Sequence, residues 1–88
     1  MGKNQEALEI YKLAEKKLIA LNETVSLAYV KSWMGTTYLD LHQYDKSIES
    51  SQSAFETINK IGDQNLIAST IQIIGHAHLL KGIEANLL

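Results

Sequence analysis

Apolar residues recur at helical spacing in four blocks along the chain, and short polar breaks divide them. The spacing predicts helices near residues 4–21, 25–41, 45–61 and 64–82. The breaks read "NET" at Asn22 to Thr24, "HQYD" at His42 to Asp45 and "GDQ" at Gly62 to Gln64, all rich in turn and capping residues. Asp45 and Asp63 are expected to cap the helices that follow them, and Gly62 to take the left-handed conformation that closes the third helix. One residue resists this pattern. Gly35 lies inside the second helix, beside the only tryptophan, where glycine costs about 1 kcal/mol relative to alanine.

Sliding the chain against itself by 40 residues brings Gly35 onto Gly75, and many other positions agree at that offset. Ala14 meets Ala54, Ala28 meets Ala68, and Leu39 meets Leu79. Leu8 falls on Ile48, Leu18 on Ile58, Leu27 on Ile67, Trp33 on Ile73 and Met34 on Ile74. A shared apolar register together with shared small residues is a repeat. The expected fold is therefore all-α, an antiparallel helix-turn-helix solenoid of about four helices. Within it, Leu27, Val30, Met34, Tyr38 and Leu41 form a stripe expected to face the third helix, through Ile48, Ser51, Ala54, Phe55, Ile58 and Ile61. Gly35 and Gly75, with Ala28, Ala54 and Ala68, are then expected where two backbones approach closely.

Length and charge narrow the classes that remain. With 88 residues the chain is a single segment with no room for a second domain. It has no proline, which favours uninterrupted helices, and no cysteine, which excludes disulfides and thiolate metal sites and fits a reducing, cytoplasmic setting. A net charge of −2 and a pI near 5.8 give no electrostatic reason to expect nucleic acid or an anionic membrane. No apolar run approaches the roughly 20 residues of a membrane span. The opening "MGKNQE" lacks the Ser or Thr that an N-myristoylation signal carries at residue 6, and Met1 and Gly2 read as a start or an expression remnant.

The residues Met34, Gly35, Tyr38, Tyr44, Ser47, Ile48, Ala54 and Phe55 resemble the tetratricopeptide repeat, a helix-turn-helix unit with small residues at its helix crossings. Ala7, Tyr11 and Ala14 repeat the second-helix part upstream, and Ile74, Gly75 and His78 repeat the first-helix part downstream. His42 stands where the family has a tight-turn glycine, Ser47 replaces an alanine, Ser51 an aromatic, and the closing proline is missing. The period of 40, the bridge "KIGDQNLIAST" and the segment "EALEIYKLAEKKLIAL" look like the peptide-pheromone receptors of Gram-positive bacteria, including Rap-type response-regulator aspartate phosphatases. That resemblance implies a protein- or peptide-binding module, part of a peptide-responsive, quorum-sensing signalling regulator. Two alternatives stand beside it: a fragment of a Rap-like phosphatase, and a generic scaffold repeat. The phosphatase activity of that family belongs to an N-terminal bundle with no match here, so this chain is expected to be catalytically silent.

The resemblance also places a groove. Its positions fall on Tyr29, Ser32, Thr36, Leu39 and Asp40 of the second helix and on Ser69, Gln72, His76 and Leu79 of the fourth. Trp33 is read as packing, because Ile73 replaces it one repeat later, and His78 as the inward counterpart of Tyr38. His76 and His78 lie two apart on a helix and point to opposite sides, and His42 is in a turn, so no metal or other cofactor is expected. The carboxylates suggest caps and surface, and the serines of "SIESSQSAF" have no base beside them. At the ends, Ile10 and Leu13 are apolar where Ser50 and Ser53 stand one repeat later, and Leu79, Leu80, Ile83, Leu87 and Leu88 have no later helix to cover them. A segment of a longer array, or self-association through these end helices, is expected.

Overall fold

The computed structural model describes residues 2–87; Met1 and Leu88, named above for the two ends, lie outside the described residues. Four helices form in order: α1 (Lys3–Ala20), α2 (Thr24–Asp40), α3 (Tyr44–Ile61) and α4 (Gln64–Leu87). Among the described residues there is no strand. Consecutive helices pack antiparallel into a helix-turn-helix solenoid of 44 × 30 × 16 Å. Among the described residues no helix is long and apolar enough to cross a membrane.

The turns set the period. Asn22, His42 and Gly62 hold positive φ values of 60, 61 and 85°, one every 20 residues. At the first turn Glu23 N–H donates to Leu18 O and Asn22 N–H to Ile19 O; at the second, Gln43 N–H donates to Tyr38 O and His42 N–H to Leu39 O. These paired bonds are the Schellman closure, and asparagine and histidine hold its left-handed position without glycine. The third turn closes more simply, by one bond from Gly62 N–H to Ile58 O.

The helix starts divide the two aspartates. Asp63 Oδ1 accepts from Leu66 N–H at 3.1 Å and caps α4. Asp45 does not cap: α3 begins one residue before it, with Gln43 in the N-cap position and no side-chain cap bond. Asp45 accepts instead from Lys81 Nζ at 2.6 Å. This bond and the contact of Glu84 with Tyr44 at 2.8 Å hold the last turns of α4 against the α2–α3 turn, so that α4 continues to Leu87, past the expected residue 82.

Two core clusters form, one on each side of α2. Val30, Met34 and Tyr38 bury against Leu8, with Tyr11, Ala14 and Leu18 of α1 and Leu41 packed around them. This corrects the expected pairing, since the large apolar stripe of α2 faces α1 and not α3. The side toward α3 is the small one. Ala28 meets Ala54 and Ile58, and Leu66 and Ile67 of α4 close that cluster. At its crossing Ser47 Oγ donates to Gly35 O at 2.7 Å, and a Cβ built on Gly35 would stand 2.2 Å from Ser51 Oγ. Periodicity shows that α2 has two buried sides, but the size of the residues decides which neighbour each side accepts.

The same crossing is missing one repeat later. A Cβ on Gly75 would meet nothing within 4 Å, and Ala68 is exposed, because α4 runs straight on and no helix covers the side that α3 covers on α2. His78 is exposed as well; the inward place beside it is taken by Ala77, which is fully buried. Ile61, expected on the packed face of α3, is half exposed at the helix end.

These contrasts separate two glycines of one repeat. Gly35→Ala should destabilise the fold by about 1–3 kcal/mol through overpacking against Ser51, and Gly75→Ala should stabilise it by up to ~1 kcal/mol through helix propensity. Ser51 Oγ is buried with no hydrogen-bond partner. Ser51→Ala should therefore stabilise by about 1 kcal/mol, and it should recover most of the loss in the Gly35→Ala background. Chemical denaturation of the four variants checks the set; equal losses at Gly35 and Gly75 would refute the assignment.

Candidate ligand groove

Because α2 is buried on two sides, only a narrow stripe of it reaches solvent. Tyr29, Trp33, Thr36 and Asp40 follow one another at helical spacing along that stripe. Trp33 is 49% exposed, so it is not the core residue expected. Its ring centroid lies 6.0 Å from that of Tyr11 and 6.2 Å from that of Tyr29, both tilted, giving an aromatic shelf shared by α1 and α2. The spacing of Trp33, four residues after Tyr29 and three before Thr36, was the signal that places it on the stripe.

Tyr29 is the hinge between this shelf and the next repeat. Its hydroxyl donates to Asp63 Oδ2 at 2.6 Å, while Asp63 Oδ1 caps α4. The hydrogen bond from Tyr29 holds the Asp63 carboxyl below its ordinary 3.8, helped by the backbone N–H groups of Leu66 and Asn65. The same bond, and then the charge of Asp63, raise the Tyr29 phenol above its ordinary 10.0. Around the pair, Asn65, Leu66 and Ser69 complete a shallow hollow of ≈ 220 Å³. Tyr29 and Ser69, predicted as groove residues on different helices, are thus brought together. His76 lies seven residues beyond Ser69 on the same exposed side of α4.

The remaining predicted positions divide. Ser32 is 3% exposed and is corrected from groove to interior: it lies on the Ala28–Gly35 side of α2, which α3 closes. Leu39, on that same side, is half-buried. Gln72 and Leu79 are exposed as well: Gln72 lies three residues after Ser69 and four before His76 on the same face of α4, and Leu79 follows three residues after His76. Thr36 and Asp40 are exposed on the stripe, although Thr36 Oγ1 leans back to Ser32 O at 3.4 Å.

Two other clusters were not expected from the sequence. At the α2–α3 turn, Tyr44 OH lies 2.7 Å from His42 Nδ1 and donates to Glu84 Oε1 at 2.8 Å, while Glu84 Oε1 is 3.2 Å from His42 Nδ1. Burial, and then Glu84, raise the Tyr44 phenol. This triad links α4 to the turn. On the opposite side, α1 and α3 both pack on α2 without touching each other, which leaves a cleft of ≈ 420 Å³ over Met34 and Tyr38 edged by Lys12, Lys16, Lys46, Glu15 and Glu49. Among the described residues no three His, Asp or Glu side chains converge as metal ligands.

The chain matches no family model, no curated protein and no solved structure. The functional reading therefore rests on the geometry of the groove and on the sequence resemblance.

The Tyr29–Asp63 bond has a definite pH signature. The lowered carboxyl stabilises the fold above the ordinary carboxylate range, and this contribution is lost as pH falls through the lowered value; the raised phenol contributes fully below pH 10 and loses its part as pH rises through the raised value. Tyr29→Phe should move the Asp63 carboxyl up toward its ordinary value, and Asp63→Asn should move the Tyr29 phenol down toward its own. Carbon-detected NMR titration reads both shifts, and an unmoved Asp63 in Tyr29→Phe would show that the bond does not form in solution.

Proposed function

We propose that this chain is a peptide- or protein-binding module of the tetratricopeptide type, serving a peptide-responsive bacterial signalling regulator in the cytoplasm. The observation that carries this reading is the stripe of half-buried Tyr29 and exposed Trp33, Thr36 and Asp40 on α2, beside Ser69 and His76 on α4. Aromatic faces offer contact area at low entropic cost, and the hydroxyl and carboxylate groups between them can accept or donate to an extended peptide backbone. The two helices sit in adjacent repeats, so a ligand lying across them would be read by both. The resemblance to pheromone-receptor repeats supplies the class of ligand, a short linear peptide. The activity is recognition without chemistry, since the exposed groups of the stripe include no nucleophile paired with a base.

Trp33 makes the test direct. Titrating the chain with a pool of short unstructured peptides should shift the Trp33 emission to the blue and perturb the amide resonances of Tyr29, Trp33, Thr36, Ser69 and His76. Trp33→Ala and Tyr29→Ala should each weaken binding by about tenfold or more, as expected when an aromatic anchor is removed. Perturbations confined to the convex cleft over Met34 and Tyr38, or none at any peptide concentration, would refute the reading. Faster phosphate loss from an aspartyl-phosphorylated response regulator on adding the chain would refute catalytic silence.

A further inference from the structure

One face of this solenoid is present twice but covered once. On α2 the row Ala28, Ser32, Gly35 and Leu39 receives α3, which meets it with the small residues Ser47, Ser51 and Ala54. On α4 the same row recurs 40 residues later as Ala68, Gln72, Gly75 and Leu79, all exposed, with open space in front of Gly75 and Gly82. Leu79 is 60% exposed, and Ile71 and Ile83 widen the apolar surface. A glycine in mid-helix with nothing before it lowers helix stability for no local return, so its place in the repeat marks a helix-docking row.

The chain also carries a second helix of the kind that fits this row. α1 precedes α3 by the same 40 residues and places Ala7 and Ala14 where α3 has Ser47 and Ala54. Tyr11 stands in the place of Ser51, with its ring turned against Trp33, so that only its Cβ need come near the crossing. Beside that row α1 exposes Ile10 and Leu13, where α3 has serines, and Ile10 is 63% exposed. The α4 row and the outer edge of α1 sit at opposite ends of the solenoid and are the repeat images of the two sides of the α2–α3 interface. On α1, Ile10 and Leu13 are exposed, while Ala7, Tyr11 and Ala14 are half-buried, Tyr11 and Ala14 against the Val30–Met34–Tyr38 cluster.

We infer that α1 of one copy docks on the Ala68–Gln72–Gly75–Leu79 row of α4 of a second copy, continuing the α2–α3 interface from chain to chain. Such contact joins two different surfaces, so it leaves one free face of each kind at the ends of every assembly. Growth is open-ended and follows the solenoid axis, unlike a closed two-fold dimer. It leaves Trp33, Thr36 and Asp40 of α2 in solvent, and it adjoins the groove at Tyr11 of α1 and at Ser69 and His76 of α4.

The experiment is a pair of one-sided variants studied by analytical ultracentrifugation. Gly75→Gln fills the row on α4, and Ile10→Lys charges the face of α1. Both positions are exposed, so the helical circular dichroism and melting of each variant should match or exceed those of the original chain. The original chain should show a mass that rises with concentration past twice 9.8 kDa, while each variant alone stays monomeric. Mixed in equal amounts, the two variants should form a 1:1 dimer that grows no further, because each supplies the face the other has lost. A dimer formed by Ile10→Lys alone would instead indicate contact between two α4 faces, and one formed by Gly75→Gln alone contact between two α1 faces; either overturns the proposal. An original chain that stays monomeric at millimolar concentration, or a mixture that stays monomeric, overturns it as well.

Discussion

The crossing of α2 and α3 at Gly35 is the contact on which the rest of the molecule depends. A Cβ on Gly35 would run into Ser51 Oγ, and Ser47 closes the approach by donating to the Gly35 carbonyl at 2.7 Å. A serine in place of a larger residue costs apolar contact, but its short hydroxyl reaches a carbonyl whose helical bond alone does not saturate it. With the small side of α2 sealed in this way, its large side is left for Leu8 and its neighbours on α1. α2 becomes the central helix, and its solvent face shrinks to one stripe.

That restriction is what gives the stripe its chemistry. Tyr29 and Trp33 are large aromatics on a helix with no room left inside, so the Trp33 ring lies over the surface, with Tyr29 on one side and Tyr11 from α1 on the other. The hydroxyl of Tyr29 then finds Asp63, which is already committed to the first turn of α4. One carboxylate thereby joins a turn, a helix cap and the candidate groove. A second tie, between the α2–α3 turn and the far end of α4, uses Tyr44 and Glu84, 40 residues apart. Together the two ties fix α4 at both ends relative to α2, which is the requirement for a ligand surface shared by two repeats.

Much of this was legible in the chain, for local reasons. The four helices follow from apolar spacing, their ends from turn residues, and the 40-residue offset from simple self-comparison. Asp63 and Gly62 act as their residue types suggest, since a cap and a left-handed closure involve only neighbours in sequence. Where a conclusion required knowing the neighbour in space, periodicity was insufficient. The Val30–Met34–Tyr38 stripe looks the same whichever helix covers it, and only packing shows that α1 does. The resemblance places Ser32 in the groove but it is enclosed, and the repeat, with Ile73 in its place, reads Trp33 as packing but it is half exposed. In both cases the volume available at the crossing, not the polarity of the residue, determined the outcome.

The amino-acid sequence by itself thus determined the elements, their period and the sites of close approach, because these depend on backbone propensity and residue size along one helix. The tertiary structure alone decided which faces are satisfied. Gly35 and Gly75 are one repeat position in the sequence, yet one lies at a close helix crossing and the other faces open space. A glycine permits close approach wherever it occurs, but whether the approach is made depends on a second helix arriving, and that is a property of the assembled chain.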